Sequence, residues 1–289
     1  MRYFFQDFEK DEIGNIIGCK MHDFVQYLSK KECIHTQIVA VEGGDDDQRI
    51  ELLGDKGEDE ALKLRHLGIM EQLHGSLWID RVGSSAKDDA SEIEKAQLGK
   101  KKHLRSLRVR FQEEDGEQRK GNDEIVKALL QANENLERLF IFNCHSTIES
   151  LYRIKSLQNL RHVNLYDWRF CEVLPPLGKL PSLEVLEIQK MDIVKKVGDE
   201  FLGIEKQESE TLSAGILFPK LQLSFWGMFK WEEWEGITKD SSEIIILMPR
   251  LSSLEFWACS QLKALPDFLY KITALRNLTI EYCPILRRE

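Results

Sequence analysis

The sequence predicts an α/β fold built by stacking, an irregular solenoid whose short parallel strands line one concave face. Three observations predict it. An apolar template, L-x-x-L-x-L with a further apolar or small residue three positions on, recurs along the chain. Its copies start between 23 residues apart (Leu160 to Leu183) and 40 (Leu64 to Leu104), which suits one strand plus a returning turn or helix rather than a hairpin. Three of the six cysteines, Cys144, Cys259 and Cys283, also fall at one template position, eight residues after its first leucine.

The copies read as Leu64/Leu67/Ile69, Leu104/Leu107/Val109, Leu136/Leu139/Ile141 with Cys144, and Leu160/Val163/Leu165 with Trp168. Then follow Leu183/Leu186/Ile188 with Met191, Leu251/Leu254/Phe256 with Cys259, and Leu275/Leu278/Ile280 with Cys283. Leu221, Leu223 and Phe225 keep the alternation one residue short, with Met228 in the final slot. Alternating apolar residues turn one face of a short strand inward, and the leading leucine packs where the chain bends into that strand. One repeat cannot bury its apolar face alone, so neighbours must stack into a parallel sheet. This is a leucine-rich-repeat horseshoe, expected over 62–289 and most regular from about Lys102.

Between strands, Leu174-Pro175-Pro176-Leu177-Gly178-Lys179-Leu180 and Leu265-Pro266-Asp267-Phe268-Leu269 read as turns of the outer face. Ser91 to Leu98 and Asn122 to Asn133 read as helices, the second with Asn122 or Asp123 as cap and Ile125, Leu129 and Leu130 on one side. Glu113–Gly121 and Glu205–Gly215 are polar insertions. Residues 1–41 do not fit the repeat: Phe4–Phe8 and Ile16–Met21 read as two strands about a turn, with a helix from His22 through Ser29. That is the end of a small winged-helix-like unit. Residues 42–61, carrying Gly43-Gly44-Asp45-Asp46-Asp47, read as an acidic linker.

Composition narrows the function. A net charge of -9 argues against general affinity for nucleic acid or anionic membrane. No stretch approaches the roughly 18 apolar residues of a membrane span, and the N-terminus meets Asp7 too soon for a signal-peptide core, so cytoplasm is the expected compartment. The cysteines show no CxxC or Cys/His metal spacing and read as free thiols, with no metal site expected. No nucleophile–base pairing, HExxH or paired carboxylates stand out, so a binding protein is expected and not an enzyme.

Lys20-Met21-His22-Asp23-Phe24-Val25 resembles the Met-His-Asp motif that closes the nucleotide-binding module of plant intracellular nucleotide-binding leucine-rich-repeat disease resistance proteins, of the coiled-coil class. Glu172 to Leu183, Val197 to Gly203, Trp231-Glu232-Glu233-Trp234 and Tyr282 to Leu286 resemble the repeat region of the same family. The resemblance implies an ADP/ATP switch held inactive by the repeats. It also implies that His22 approaches the nucleotide phosphates and that Asp23 steadies them. The alternative from the residues alone is a helix cap at Asp23 and a surface His22. No G-x-x-x-x-G-K-[ST] occurs, so no cofactor is expected in this chain itself, and the chain reads as an abridged member of the family.

The resemblance implies a protein partner: a pathogen effector, a guarded host protein, or the receptor's own nucleotide-binding module. Side chains six residues after each first leucine should form an outward column of Phe142, Tyr166, Gln189, Trp226, Trp257 and Glu281. Its aromatics, with Arg138, His162 and Glu187, are the expected partner-binding residues. Lys100-Lys101-Lys102-His103 with Arg105, Arg108 and Arg110 forms a basic patch, read as a solvated helix end in preference to a phosphate site, or as a contact for an acidic segment such as 42–60, with Arg108 and Arg110 expected on the concave side. A substrate-recruiting leucine-rich-repeat subunit of a ubiquitin-ligase-type complex stays open as the alternative function.

Overall fold

The structure is a computed structural model. It describes residues 5–10, 16–21, 49–53, 67–68, 73–82, 86–112, 122–131, 134–168, 170–203, 215–235 and 245–286. One parallel sheet of nine strands organises them, each strand hydrogen-bonded to the next repeat. In chain order its members are β3 (Arg49–Leu53), β4 (His74–Val82), β5 (His103–Phe111), β6 (Arg138–Phe142), β7 (His162–Tyr166) and β8 (Val185–Gln189). They continue with β11 (Leu221–Trp226), β14 (Leu251–Trp257) and β15 (Asn277–Glu281). The N-terminal strands β1 (Phe5–Lys10) and β2 (Ile16–Met21) pair antiparallel as a separate hairpin. Two short parallel pairs sit in the connections, β9 (Lys196–Val197) with β12 (Glu233–Trp234) and β10 (Gly215–Leu217) with β13 (Ile245–Leu247).

The inward positions follow the template. Leu107/Val109, Leu139/Ile141, Val163/Leu165, Leu186/Ile188, Leu223/Phe225 and Leu254/Phe256 stand in register from strand to strand, all buried. The leading leucines 104, 136, 160, 183, 221 and 251 are buried behind them. Each such side chain contributes about 1.5–3 kcal/mol on leaving water, so the stack is held by an apolar seam along its length. The final slot also turns inside: Cys144, Trp168, Met191, Met228 and Cys259 have no exposed surface. The one-residue deficit of the Leu221 copy is absorbed by a register shift opposite Ser252, after which Gln222 pairs with Ser253.

A backbone device repeats with the strands. The residue directly after each main-sheet strand from β6 to β15 takes a positive φ: Asn143, Asp167, Lys190, Gly227, Ala258 and Tyr282, all between 53° and 64°. Each of the first five donates its N–H to the carbonyl of the last strand residue one repeat on, at 2.8–2.9 Å. The left-handed turn therefore bends the chain out of the sheet while keeping the ladder bonded. Asn and Asp tolerate this conformation and Gly prefers it, but Lys, Ala and Tyr adopt it at a cost.

On the outer side, α1 (Ala86–Ala96) and α2 (Asn122–Leu130) fill the two longer connections, and α2 buries Ile125, Val126, Leu129 and Leu130. Asp123 caps the next element across the gap: its carboxylate accepts from Ser146 Oγ, from the Thr147 N–H at 2.7 Å and from Thr147 Oγ1 at 3.1 Å, ahead of α3 (Ile148–Leu151). Towards the C-terminal end the core becomes aromatic. Phe201 of α4 (Asp199–Leu202), Phe218, Phe225, Trp231, Trp234, Phe256 and Phe268 form one run of ring contacts at 4.7–6.5 Å. The Trp231-Glu232-Glu233-Trp234 segment thus supplies core, with both indoles buried and Trp231 Nε1 donating to the Glu233 carbonyl at 2.8 Å.

Three expectations change. In the Leu64/Leu67/Ile69 copy, buried Leu67 forms a 3-10 turn with Gly68 and not a strand, Leu64 and Ile69 lie outside the described residues, and the strand beside β5 is β4, whose Leu77 and Ile79 pair with Leu107 and Val109. Gly68 lies against the end of α1, where a Cβ would stand 2.4 Å from the Lys95 carbonyl. The acidic linker 42–61 contains β3, an edge strand of the main sheet, because Ile50 and Leu52 alternate within the charged stretch. Finally, Lys101 is not part of a solvated helix end; it is 1% exposed and donates from Nζ to the Gly68 carbonyl at 3.2 Å. The helix read from His22 and the insertion 113–121 lie outside the described residues.

The last repeat differs from the others. Leu278, an inward position, is 48% exposed, and Ile280 and Cys283 are only partly covered. Cys144, Cys171, Cys259 and Cys283 are free thiols. Burial pushes Cys171 and Cys259 up to about 12, so both are neutral thiols at pH 7.

Candidate functional site: the concave face

Because side chains alternate across a strand, the residues between the buried positions face the concave side in three rows. The first holds Ser106, Arg138, His162, Val185, Gln222, Ser253 and Asn277, paired strand to strand. The second holds Trp78, Arg108, Phe140, Asn164, Glu187, Ser224, Glu255 and Thr279. The third holds Arg110 followed by the expected column, Phe142, Tyr166, Gln189, Trp226, Trp257 and Glu281, in unbroken register.

The expected residues come together in two groups. Trp226 and Trp257 stack with centroids 5.3 Å apart at 27°, exposed by 41% and 39%, and Tyr282 meets Trp257 edge-on at 5.2 Å. Phe142 and Tyr166 lie 6.0 Å apart nearer the N-terminal end, with the Lys190 ammonium 4.9 Å above the Tyr166 ring. Gln189 separates the two aromatic groups.

Beside them His162, Glu187 and Asn164 form a polar knot. His162 Nε2 is 3.2 Å from Glu187 Oε2, so that nitrogen carries the proton and donates; Asn164 Nδ2 donates to the same oxygen. The hydrogen bond from His162 holds the Glu187 carboxyl below its usual range, against the effect of its burial and helped by Asn164. Phe140 packs edge-on against the imidazole at 4.8 Å. Asn164 is almost fully buried, and its Oδ1 accepts from no protein donor among the described residues. Arg138 pairs in register with His162 on the rim of this knot. His22 and Asp23 lie outside the described residues.

Trp78, Phe140, Asn164 and Tyr282 belong to this face without being among the expected partner-binding residues. Trp78 needed the strand at 74–82 to be recognised, and the alternation Leu77-Trp78-Ile79-Asp80 was the available signal. Phe140 and Asn164 sit two residues before the column on β6 and β7, a position the template leaves unspecified. Tyr282 follows β15 in the left-handed slot, which sequence alone does not mark.

Residues 64–191 match the family model described as R13L1/DRL21 leucine-rich repeats. A disease resistance protein of Arabidopsis thaliana is 38% identical over 133 residues, 45% of this chain and 8% of its own length. Two further Arabidopsis thaliana proteins, named disease resistance proteins RF45 and RDL5, are each 29% identical over 191 residues, 54% of this chain and 18% of theirs. The chain thus spans less than one fifth of the length of the relatives it matches. No helix among the described residues is long and apolar enough to cross a membrane. Repeat register, family match and relatives agree: the solenoid is built of leucine-rich repeats similar to those of plant disease resistance proteins.

Proposed function

We propose that this chain supplies the recognition surface of a cytoplasmic plant immune receptor. It acts by binding and not by catalysis. Its concave face engages a pathogen effector or a guarded host protein, and at rest the receptor's own nucleotide-binding module. The observation that carries this reading is the stacked, half-exposed Trp226–Trp257 pair, set in a bonded sheet beside a row of polar side chains. Large rigid aromatics with little conformational entropy to lose are frequent interface anchors. In this reading residues 1–41 end the nucleotide module, the repeat sheet begins with β3 inside the acidic stretch, and His22 and Asp23 lie at the edge of a pocket completed elsewhere in the receptor.

The test is capture of a partner from infected leaf tissue by proximity labelling, followed by measured affinity. Trp226→Ala and Trp257→Ala should each weaken binding about 30-fold, roughly 2 kcal/mol, with the fold intact by circular dichroism. A captured partner whose affinity ignores both changes would remove the concave face from recognition. For nucleotide, calorimetry with ADP and this chain alone should show no dissociation constant tighter than about 10 μM, roughly -7 kcal/mol.

A further inference from the structure

The N-terminal half of the concave face has a chemistry of its own. Arg108 and Arg110 stand two residues apart on β5, facing the same side. The Arg108 guanidinium carbon is 5.1 Å from the Trp78 ring centroid, 4.8 Å from Phe140 and 5.8 Å from Phe142. That of Arg110 is 5.6 Å from Trp78 and 5.7 Å from Phe142. Two cations therefore share two rings. Like charges so close repel, and the ring faces offset that repulsion while fixing both side chains. A guanidinium held over a ring still presents its N–H edge to an approaching oxygen pair. Asp80 stands 3.8 Å from Arg110, too long for a hydrogen bond, and Arg138 adds a third positive side chain one strand on.

The opposite end of the face carries Glu187, Glu255 and Glu281. The surface is thus polarised, basic on β5 and β6 and acidic from β8 onward. We infer that the Arg108–Arg110 pair, walled by Trp78, Phe140 and Phe142, is a docking site for an acidic, extended peptide segment of a partner protein. This rests on the reading of the concave face as a protein-recognition surface. Same-side side chains of an extended peptide repeat at roughly 6.6 Å, the spacing of the two arginines along their own strand. Carboxylates at alternate positions can therefore meet both guanidiniums in the forked geometry that arginine favours.

The same residue types could suggest single-stranded nucleic acid, but the details disfavour it. Bases need open ring faces for stacking, and here the guanidiniums lie over Trp78, Phe140 and Phe142.

Fluorescence anisotropy with the full chain tests the inference, using short synthetic peptides that alternate Glu with Ser or Lys with Ser, and a short oligothymidylate. The Glu–Ser peptide should bind tighter than about 1 mM and weaken as salt rises. The exposed Arg110→Gln change should weaken it at least about tenfold, and Arg110→Lys, which keeps the charge and loses the fork, should restore only part of that loss. Lys271→Gln, the same charge change on an outer 3-10 turn, should leave it unaltered. Absence of Glu–Ser binding, insensitivity to Arg110→Gln, or tighter binding of the oligothymidylate would each overturn the assignment. A captured partner lost in Trp257→Ala yet indifferent to Arg110→Gln would sink the acidic docking site alone. Peptide binding that obeys these rules with no concave-face protein partner would sink the broader reading instead.

Discussion

The left-handed residue after each strand gives a matched pair of substitutions with opposite expected signs. Gly227 and Ala258 occupy equivalent slots of adjacent repeats, with φ of 64° and 55° and N–H bonds of 2.8 and 2.9 Å to the next strand. A Cβ at Gly227 would meet nothing nearer than 3.5 Å, to Lys190 Cγ and Phe229 Cζ, so Gly227→Ala adds no clash. What remains is backbone: roughly 1–2 kcal/mol for placing an L-residue in this region, offset by about 0.5–1 kcal/mol from a stiffer unfolded chain. Gly227→Ala should therefore destabilise by about 0.5–1 kcal/mol. Ala258→Gly reverses both terms and loses a half-buried methyl, about 0.4 kcal/mol at half the value of a buried methylene. Its net effect should run from neutral to about 0.5 kcal/mol stabilising.

Urea titration followed by circular dichroism reads both variants against the parent, with the slope checked for a change in cooperativity. The slope matters because a stacked array can unfold in parts, and a local change then moves only its own segment. A stabilising Gly227→Ala, or an Ala258→Gly that destabilises by more than about 1 kcal/mol, would refute the account of these turns as strained positions.

Other expectations are smaller in scope. Cys259→Asp places an unpaired carboxylate in a site with no exposed surface and should cost several kcal/mol in thermal melts, while Trp257→Ala two residues away should cost about 1 kcal/mol, mostly its contacts with Trp226 and Tyr282. The reverse order would mean the two faces are misassigned. Gly178→Ala should cost about 1–3 kcal/mol, because its Cβ would stand 2.4 Å from the Leu202 carbonyl oxygen and neighbouring backbone must move; an unchanged melting temperature would disprove that contact. At Asp123, burial opposes the charge, but the bonds from Ser146 and Thr147 outweigh it and hold the carboxyl below its ordinary value. A depressed carboxylate stabilises above its unfolded value near 4 and loses that contribution as pH falls through the folded value. Asp123→Ala should thus cost about 1 kcal/mol at pH 7 and nothing at the acid end of a pH series; a cost independent of pH would rule out the ionised cap.

The strands were legible because their signal is strict alternation against a buried face. Leu139/Ile141 and Leu186/Ile188 could hardly point elsewhere without exposing the seam. Where composition misled, the alternation was still present but surrounded by charge. In Arg49-Ile50-Glu51-Leu52-Leu53 the acidic context suggested a linker, while the period of two supplied an edge strand. The Leu64 copy misled in the opposite way, satisfying the template where Leu67 and Gly68 form a 3-10 turn. The left-handed slot was not legible, since Lys190, Ala258 and Tyr282 carry no preference for it; tertiary bonding imposes the conformation. The column could be read from spacing alone, whereas the arginine stack depended on knowing which strand lies beside β5.

That dependence bears on how such a face can be specific. The carbonyl of Trp226 accepts from the Lys190 N–H and that of Trp257 from the Gly227 N–H, both at 2.8 Å, so each anchor's backbone is tied to the preceding repeat. Little ordering of the backbone is then left to occur on binding, which favours affinity per side chain presented. The inward residues one position away, Phe225 and Phe256, carry the stability, while the outward ones touch mainly each other. Exchange at an outward position therefore changes what the surface recognises at a cost of about 1 kcal/mol or less, whereas exchange at an inward position unstacks the solenoid. Recognition and folding occupy opposite faces of the same strands.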